Sequence, residues 1–203
     1  MSLEYTSHGH IYELDGQRIP CVSDLCHFLN REIYAAAPVW QMEAAAERGT
    51  AVHSATESLD RIGTAEIEDE YSPYLEAYAS FLREHSVSWE LIEHSDYHPT
   101  YLYAGTIDRY GTLDGAPTLL DIKTTYTVHK PLCIASLNLY RMILESRGMP
   151  VEQLAILHLR KNGAYKIVLI EIRDDVPLAL LTLQELLKKR RRKNGRNQER
   201  SQP

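Results

Sequence analysis

Two aspartates and a lysine lie in the stretch "YAGTIDRYGTLDGAPTLLDIKTT", Tyr103 to Thr125, among residues that otherwise suit a buried β-strand. Asp114-Gly115, in its middle, is the dipeptide of a two-residue hairpin turn. If that turn forms, Leu113 opposes Ala116 and, counting outward, Asp108 opposes Asp121 as a non-hydrogen-bonded pair with close side chains. The two-residue period of a strand puts Lys123 on the same face as Asp121, opposite Thr106. Two carboxylates about 4 Å apart repel by on the order of 4 kcal/mol at an effective dielectric of about 20. Compensation has three sources: a proton on one carboxyl, an ion pair with Lys123, or a divalent cation between the two. The third is a phosphodiester-hydrolysis site in outline. A cation activates water and stabilises charge on phosphoryl oxygens, while a lysine orients the nucleophile and offsets transition-state charge. Oxygen ligands favour Mg²⁺ or Mn²⁺ over zinc.

The surrounding pattern supplies elements to hold these groups. "HIYELDGQRIP" alternates around Asp15-Gly16 as a hairpin and leads into a short helix near Ser23 to Leu29. Helical composition runs from Pro38 to about Ile62, with Gly63 as its stop. A second helix begins at Ser72, its cap, with Pro73 in the first turn. Strands are expected at Trp89–Glu93, Tyr101–Leu113 and Thr118–Thr125. "PLCIASLNLYRMILESRG" is an amphipathic helix ended by Gly148, and "LAILHLRK" and "YKIVLIEI" flank Asn162-Gly163 as a type I′ hairpin. A last helix spans Val176 to Lys189. The expectation is one α/β domain over 1–187, a mixed central β-sheet flanked by helices, followed by a disordered basic tail over 188–203.

With the segments in place, the sequence resembles the PD-(D/E)xK nuclease superfamily, especially its RecB-like, phage-type exonuclease branch. The pieces that carry the likeness are "RGTAVH", "GTID", "LLDIKTT" and "SLNLY", in the family order from about residue 48 to 140, with "GQRIPCVSDL" a looser match at the start. The resemblance implies a restriction-endonuclease-like core and a metal-dependent deoxyribonuclease acting at DNA ends in recombination, repair or phage DNA processing. It makes Asp108 and Asp121 metal-binding acids, Lys123 the residue that positions water, and His53 and the Ile122 carbonyl further ligands. Glu57, one helical turn beyond His53, and Glu93 are weaker candidates. The family's Q-x-x-x-Y motif is present as Ser136-x-x-x-Tyr140, so substrate positioning loses an amide; Tyr140 either approaches the site or fills the helix–sheet interface. Three cysteines fall short of the four used by the iron–sulfur subgroup. A second reading keeps the fold as a nucleic-acid-binding or assembly module without catalysis.

Charge is unevenly divided. The chain has 203 residues, with 22 Lys and Arg against 28 Asp and Glu. Residues 188–203 hold eight of the basic residues and one acid, leaving 14 basic and 27 acidic residues before them, a net of −13. The tail either grips phosphates by counterion release or only keeps the chain in solution. Lys130, Arg141 and Arg160 are candidates to line a DNA path, and a ring or a partner helicase or recombination protein would add the grip that an acidic body lacks. His94, His98 and His129 have no metal-ligand spacing. Cys21, Cys26 and Cys133 form no C-x-x-C pair, no P-loop or G-x-S-x-G segment is present, and no run approaches the ~18 apolar residues of a membrane span. A cytoplasmic protein is expected.

Overall fold

The computed structural model describes residues 2–6 and 11–199. His10, the first residue of the expected N-terminal hairpin, and residues 200–203 of the basic tail lie outside them. Two sheets form. The smaller joins β1 (Leu3–Thr6), β2 (Ile11–Leu14) and β3 (Gln17–Ile19), all antiparallel, with Asp15 and Gly16 both at positive φ in the tight turn. The expected single short helix is two, α1 (Val22–Leu25) and α2 (His27–Tyr34).

The larger sheet has the order β4 (Val87–Tyr97), β5 (Ala104–Leu113), β6 (Ala116–Lys123), β7 (Gln153–Leu159) and β8 (Tyr165–Ile170). Its pairs are antiparallel except β6 with β7, which run parallel because α5 (Lys130–Ser146) crosses between them. The architecture is therefore the mixed central sheet flanked by helices. On one face, α3 (Val39–Ile62) and α4 (Ser72–Glu84) cover a core of Val52, Tyr78, Phe81, Leu120, Ile122 and Leu157. On the other, α5 buries Leu137 and Leu144 against Ile107, Leu119 and Ile156.

Local chemistry sets the limits of these elements. Pro38 caps α3 at φ −61°, and Gly63 ends it at φ 76°, where its N–H bonds to the Leu59 carbonyl. Asp114-Gly115 makes the expected two-residue turn, with both residues at positive φ, and β5 pairs with β6 from Leu113↔Ala116 outward to Arg109↔Leu120. The Asn162-Gly163 turn differs from expectation. Only Gly163 is left-handed there, and Arg160 N–H bonds to the Ala164 carbonyl, so the loop has three residues with glycine last rather than a type I′ pair. The last helix, α6 (Asp175–Glu199), continues past Lys189 because the Lys, Arg and Gln that follow are good helix formers. All three cysteines are buried and free. Among the described residues, no helix is long and apolar enough to cross a membrane.

Candidate metal centre

The β5–β6 ladder stops one pair short of the aspartates. Beyond Arg109↔Leu120 the strands part, and Asp108 Oδ2 accepts the Ile122 N–H at 2.7 Å in place of a backbone carbonyl. The alternation of β5 breaks at the same point, since Ile107 and Tyr110 both pack into the α5-side core. Asp108 and Asp121 are thus not a regular cross-strand pair. Asp108 sits in the opening between the strands, and Asp121 turns to Lys123, with Nζ 2.6 Å from its Oδ2. That Oδ2 is buried and has no aligned hydrogen bond among the described residues.

A third carboxylate enters from β4. The pairing of β4 with β5 shifts by one residue between Trp89 and Leu91. The bulge presses its backbone onto Gly111, where a Cβ would lie 2.1 Å from the Ser88 carbonyl oxygen. The shift brings Glu93 level with Asp108, between the paired Ile92/Arg109 and His94/Ile107. Glu93 is left-handed at φ 45°, a conformation that costs a non-glycine residue about 1–2 kcal/mol. What holds it there is its side chain. Glu93 Oε1 lies 2.9 Å from His53 Nδ1 and 3.0 Å from Arg109 Nη1.

His53 comes from α3, where His53, Thr56 and Asp60 recur at i, i+3 and i+7 on the face toward β5. Its Nδ1 is also 3.7 Å from Asp108 Oδ2, and its Nε2 is 3.2 Å from the Ile122 carbonyl oxygen. Both ring nitrogens therefore face acceptors, the surroundings of an imidazolium. Burial opposes that charge, but Asp108 and Glu93 outweigh it and raise the His53 pKa to about 9. One ligand atom from each of His53, Glu93 and Asp108 lies within 4.8 Å of the others. This N,O,O set, with the Ile122 carbonyl beside it, fits a small divalent cation. Asp121 and Lys123 stand next to it. Burial and the charge on Asp108 push the Asp121 carboxyl above its usual range, against the pull of Lys123. Burial works against the Lys123 ammonium, yet Asp121 and Asp108 raise its pKa.

Of the remaining candidates, Glu57 is turned away. It pairs with Arg61 at 2.8 Å, and Arg61 in turn donates to the Ile92 carbonyl. Ser136 donates to the Cys133 carbonyl of its own helix at 3.5 Å. Tyr140 packs in the helix–sheet interface against Gly105, where a Cβ would be 2.4 Å from its Cε1, so only glycine admits the ring. The same ring also lies near the site. Its pKa is raised well above the ordinary value by burial and by the charges of Asp108 and Asp121. Arg141 is buried in ion pairs with Glu145 and Asp174, which removes it from any DNA path, whereas Lys130 and Arg160 line open clefts.

Sequence reasoning missed Arg109. It is fully buried and bonds Asp60 at 2.6 Å, Thr56 at 3.1 Å, Glu93, and the Asp108 carbonyl at 2.7 Å. Tyr78 completes the group by donating to Asp60 at 2.6 Å. The signal was available in the strand pattern: Arg109 falls on the core face with Leu113 and Leu120, where a charged residue requires a buried partner.

The raised His53 pKa has a measurable consequence. A proton held more tightly in the folded state stabilises the fold. The contribution is complete below about pH 6.5 and is lost as pH rises through about 9. Metal uptake must displace that proton. In chelator, Tm is expected to fall between about pH 6 and about pH 9.5, and millimolar Mn²⁺ to raise it most at the alkaline end. A metal-induced shift independent of pH would remove His53 from the ligand set.

Neither the protein-family models nor the curated proteins include a match to this chain. Among solved structures, the chain is similar to an alkaline exonuclease from Laribacter hongkongensis, at 18% identity and a TM-score of 0.35, over 70% of this chain and 84% of that one. It is also similar to the structure of LHK-Exo in complex with dAMP, at 16% identity and a TM-score of 0.39, over 86% of this chain and 94% of that one.

Proposed function

We propose that the chain is a PD-(D/E)xK-type nuclease that hydrolyses DNA phosphodiester bonds, as an exonuclease at DNA ends, with Mg²⁺ or Mn²⁺ as its cation. The observation that carries this reading is the convergence of His53, Glu93, Asp108 and the Ile122 carbonyl beside the Asp121–Lys123 pair. A divalent cation bound there would supply activation of a water molecule and stabilisation of negative charge on the phosphoryl group. Asp108 and Glu93 would hold it by charge, with His53 contributing a ring nitrogen once deprotonated. Asp121, whose buried Oδ2 lies 2.6 Å from the Lys123 ammonium and has no aligned hydrogen bond among the described residues, would offer a further oxygen.

Lys123 has a separate task. Its raised pKa keeps it protonated at neutral pH, so it donates hydrogen bonds and does not accept a proton from water. Its side chain is about a third exposed (36%) with the ammonium held against Asp121, and in this reading that ammonium orients a water molecule or meets a phosphate brought to the cation. Arg109 positions Glu93 without reaching the substrate, because it is wholly buried. The test is digestion of end-labelled linear DNA and closed circular DNA with Mg²⁺, with Mn²⁺ and with chelator. Release of labelled nucleotides from linear DNA only, and only with metal, is expected. Binding of DNA without cleavage in every divalent ion would replace this reading with the non-catalytic module.

A further inference from the structure

Beyond Lys123 the chain builds a cationic surface that the metal centre does not use. A cleft of about 590 Å³ opens at the end of β6, between α3, the segment after Lys123 and the β7–β8 turn; its walls include Arg48, Arg160 and Lys161. A second, of about 280 Å³, shares Tyr126, His158 and Arg160 with it and adds Lys130 and Lys166. No carboxylate lines either one among the described residues. This distribution is unexpected in a body that holds nearly twice as many acids as bases.

Ion pairing sharpens the contrast. Arg61, Arg109, Lys123, Arg141, Arg147 and Arg173 all have carboxylate partners. Arg48, Lys130, Arg160, Lys161 and Lys166 form no ion pair among the described residues; Arg18, Arg31 and Arg83 also lack one but lie apart, whereas these five gather on the two clefts. Arg48 is fixed in place instead, donating to the Thr124 hydroxyl at 3.3 Å and lying 5.8 Å from the Tyr74 ring centre. Among them stands Tyr126, whose side chain is almost fully exposed at 99%. An unpacked aromatic ring beside unpaired cations matches what a single nucleic-acid strand needs: cations along its phosphates and a flat face for an unstacked base. Duplex DNA offers the phosphates but keeps its base faces covered. The cleft starts one residue after Lys123, so a strand lying in it leads directly to the metal centre.

From this arrangement we infer that the double cleft is a subsite for single-stranded DNA, in which Tyr126 stacks on a base and Arg48, Lys130, Arg160, Lys161 and Lys166 follow the backbone. The inference rests on the nuclease reading for its choice of DNA, and it specifies the strand state of the substrate next to the reacting phosphate. Binding of a labelled single-stranded oligodeoxynucleotide and of its blunt duplex is measured by fluorescence anisotropy in chelator, with the full chain, so that the basic tail contributes equally to every variant. Tyr126→Ala is expected to weaken single-strand binding about tenfold and leave duplex binding unchanged, while Tyr126→Phe, which keeps the ring, binds as the parent does. Arg160→Ala with Lys161→Ala is expected to flatten the slope of log affinity against log salt by about 1.4. Unaltered affinity in Tyr126→Ala, an equal loss for the duplex, or an unaltered salt slope overturns the subsite. If the parent protein cleaves DNA while these variants bind normally, the subsite fails and the nuclease reading stands. If the parent cleaves nothing in any divalent ion while the variants bind more weakly as expected, the subsite stands and the nuclease reading fails.

Discussion

Arg109→Leu is expected to lower stability by about 3–5 kcal/mol, the scale on which removing one partner of a buried ion pair strands the other. The side chain has no exposed surface, and Asp60, its closest partner, retains 4%. Leucine fills part of the volume but leaves Asp60 as a buried charge without its cation, Glu93 with His53 alone, and Thr56 and the Asp108 carbonyl without their donor. For a domain of this size the loss corresponds to a fall in Tm of roughly 6–20 °C. A midpoint shift in urea at constant m would report it. Adding Asp60→Leu should recover part of the loss, because one stranded charge goes with it. A single variant within 1 kcal/mol of the parent, by the order of surface substitutions, would show that the Arg109 cluster carries no stability.

The same cluster explains which parts of the site could be read from residues alone. Asp114-Gly115 set the β5–β6 register correctly to Arg109↔Leu120, because a two-residue turn leaves the strands no freedom near it. Pro38 and Gly63 bounded α3 for equally local reasons. Counting could not continue to Asp108, where the Ile122 N–H takes a carboxylate instead of a carbonyl and the ladder opens. Nor did spacing single out Glu93 over Glu57. Glu57 has the helical spacing from His53, yet it satisfies itself on Arg61. Glu93 reaches His53 only because a bulge shifts β4, a left-handed residue turns its side chain, and Arg109 anchors it. Each of these depends on contacts between segments far apart in the chain. Of the three sources of compensation left open by the sequence, the ion pair is formed, with Lys123 Nζ 2.6 Å from Asp121 Oδ2, and His53, which the sequence analysis did not count among them, stands beside Asp108 and Glu93.

Asp108→Asn should separate catalysis from folding, and in doing so identify what the charge at this position is for. An asparagine retains an oxygen that can accept the Ile122 N–H, so the opening between β5 and β6 keeps its backbone contact. Two electrostatic changes then oppose each other. Losing the negative charge removes an attraction to His53 and relieves a repulsion on Asp121. Tm in chelator is therefore expected to stay within a few degrees of the parent, by roughly 5 °C or less for changes near 1 kcal/mol. Metal-dependent cleavage is expected to fall by roughly 10³-fold or more, the scale of losing a preorganised electrostatic contact at a reacting group. The Mn²⁺-induced rise in Tm should shrink with it. Lys123→Met behaves differently in chelator: Asp121 stays buried without its cation, its carboxyl pKa rises further, and stability should drop most at neutral and alkaline pH, where that carboxyl must ionise. A half-effect on cleavage in Asp108→Asn with a full metal shift would place the essential acid elsewhere. Loss of cleavage with the fold retained, alongside a pH-dependent stability loss in Lys123→Met, would tie the two halves of the site to distinct tasks: Asp108 to the cation, and Lys123 to Asp121 and the phosphate.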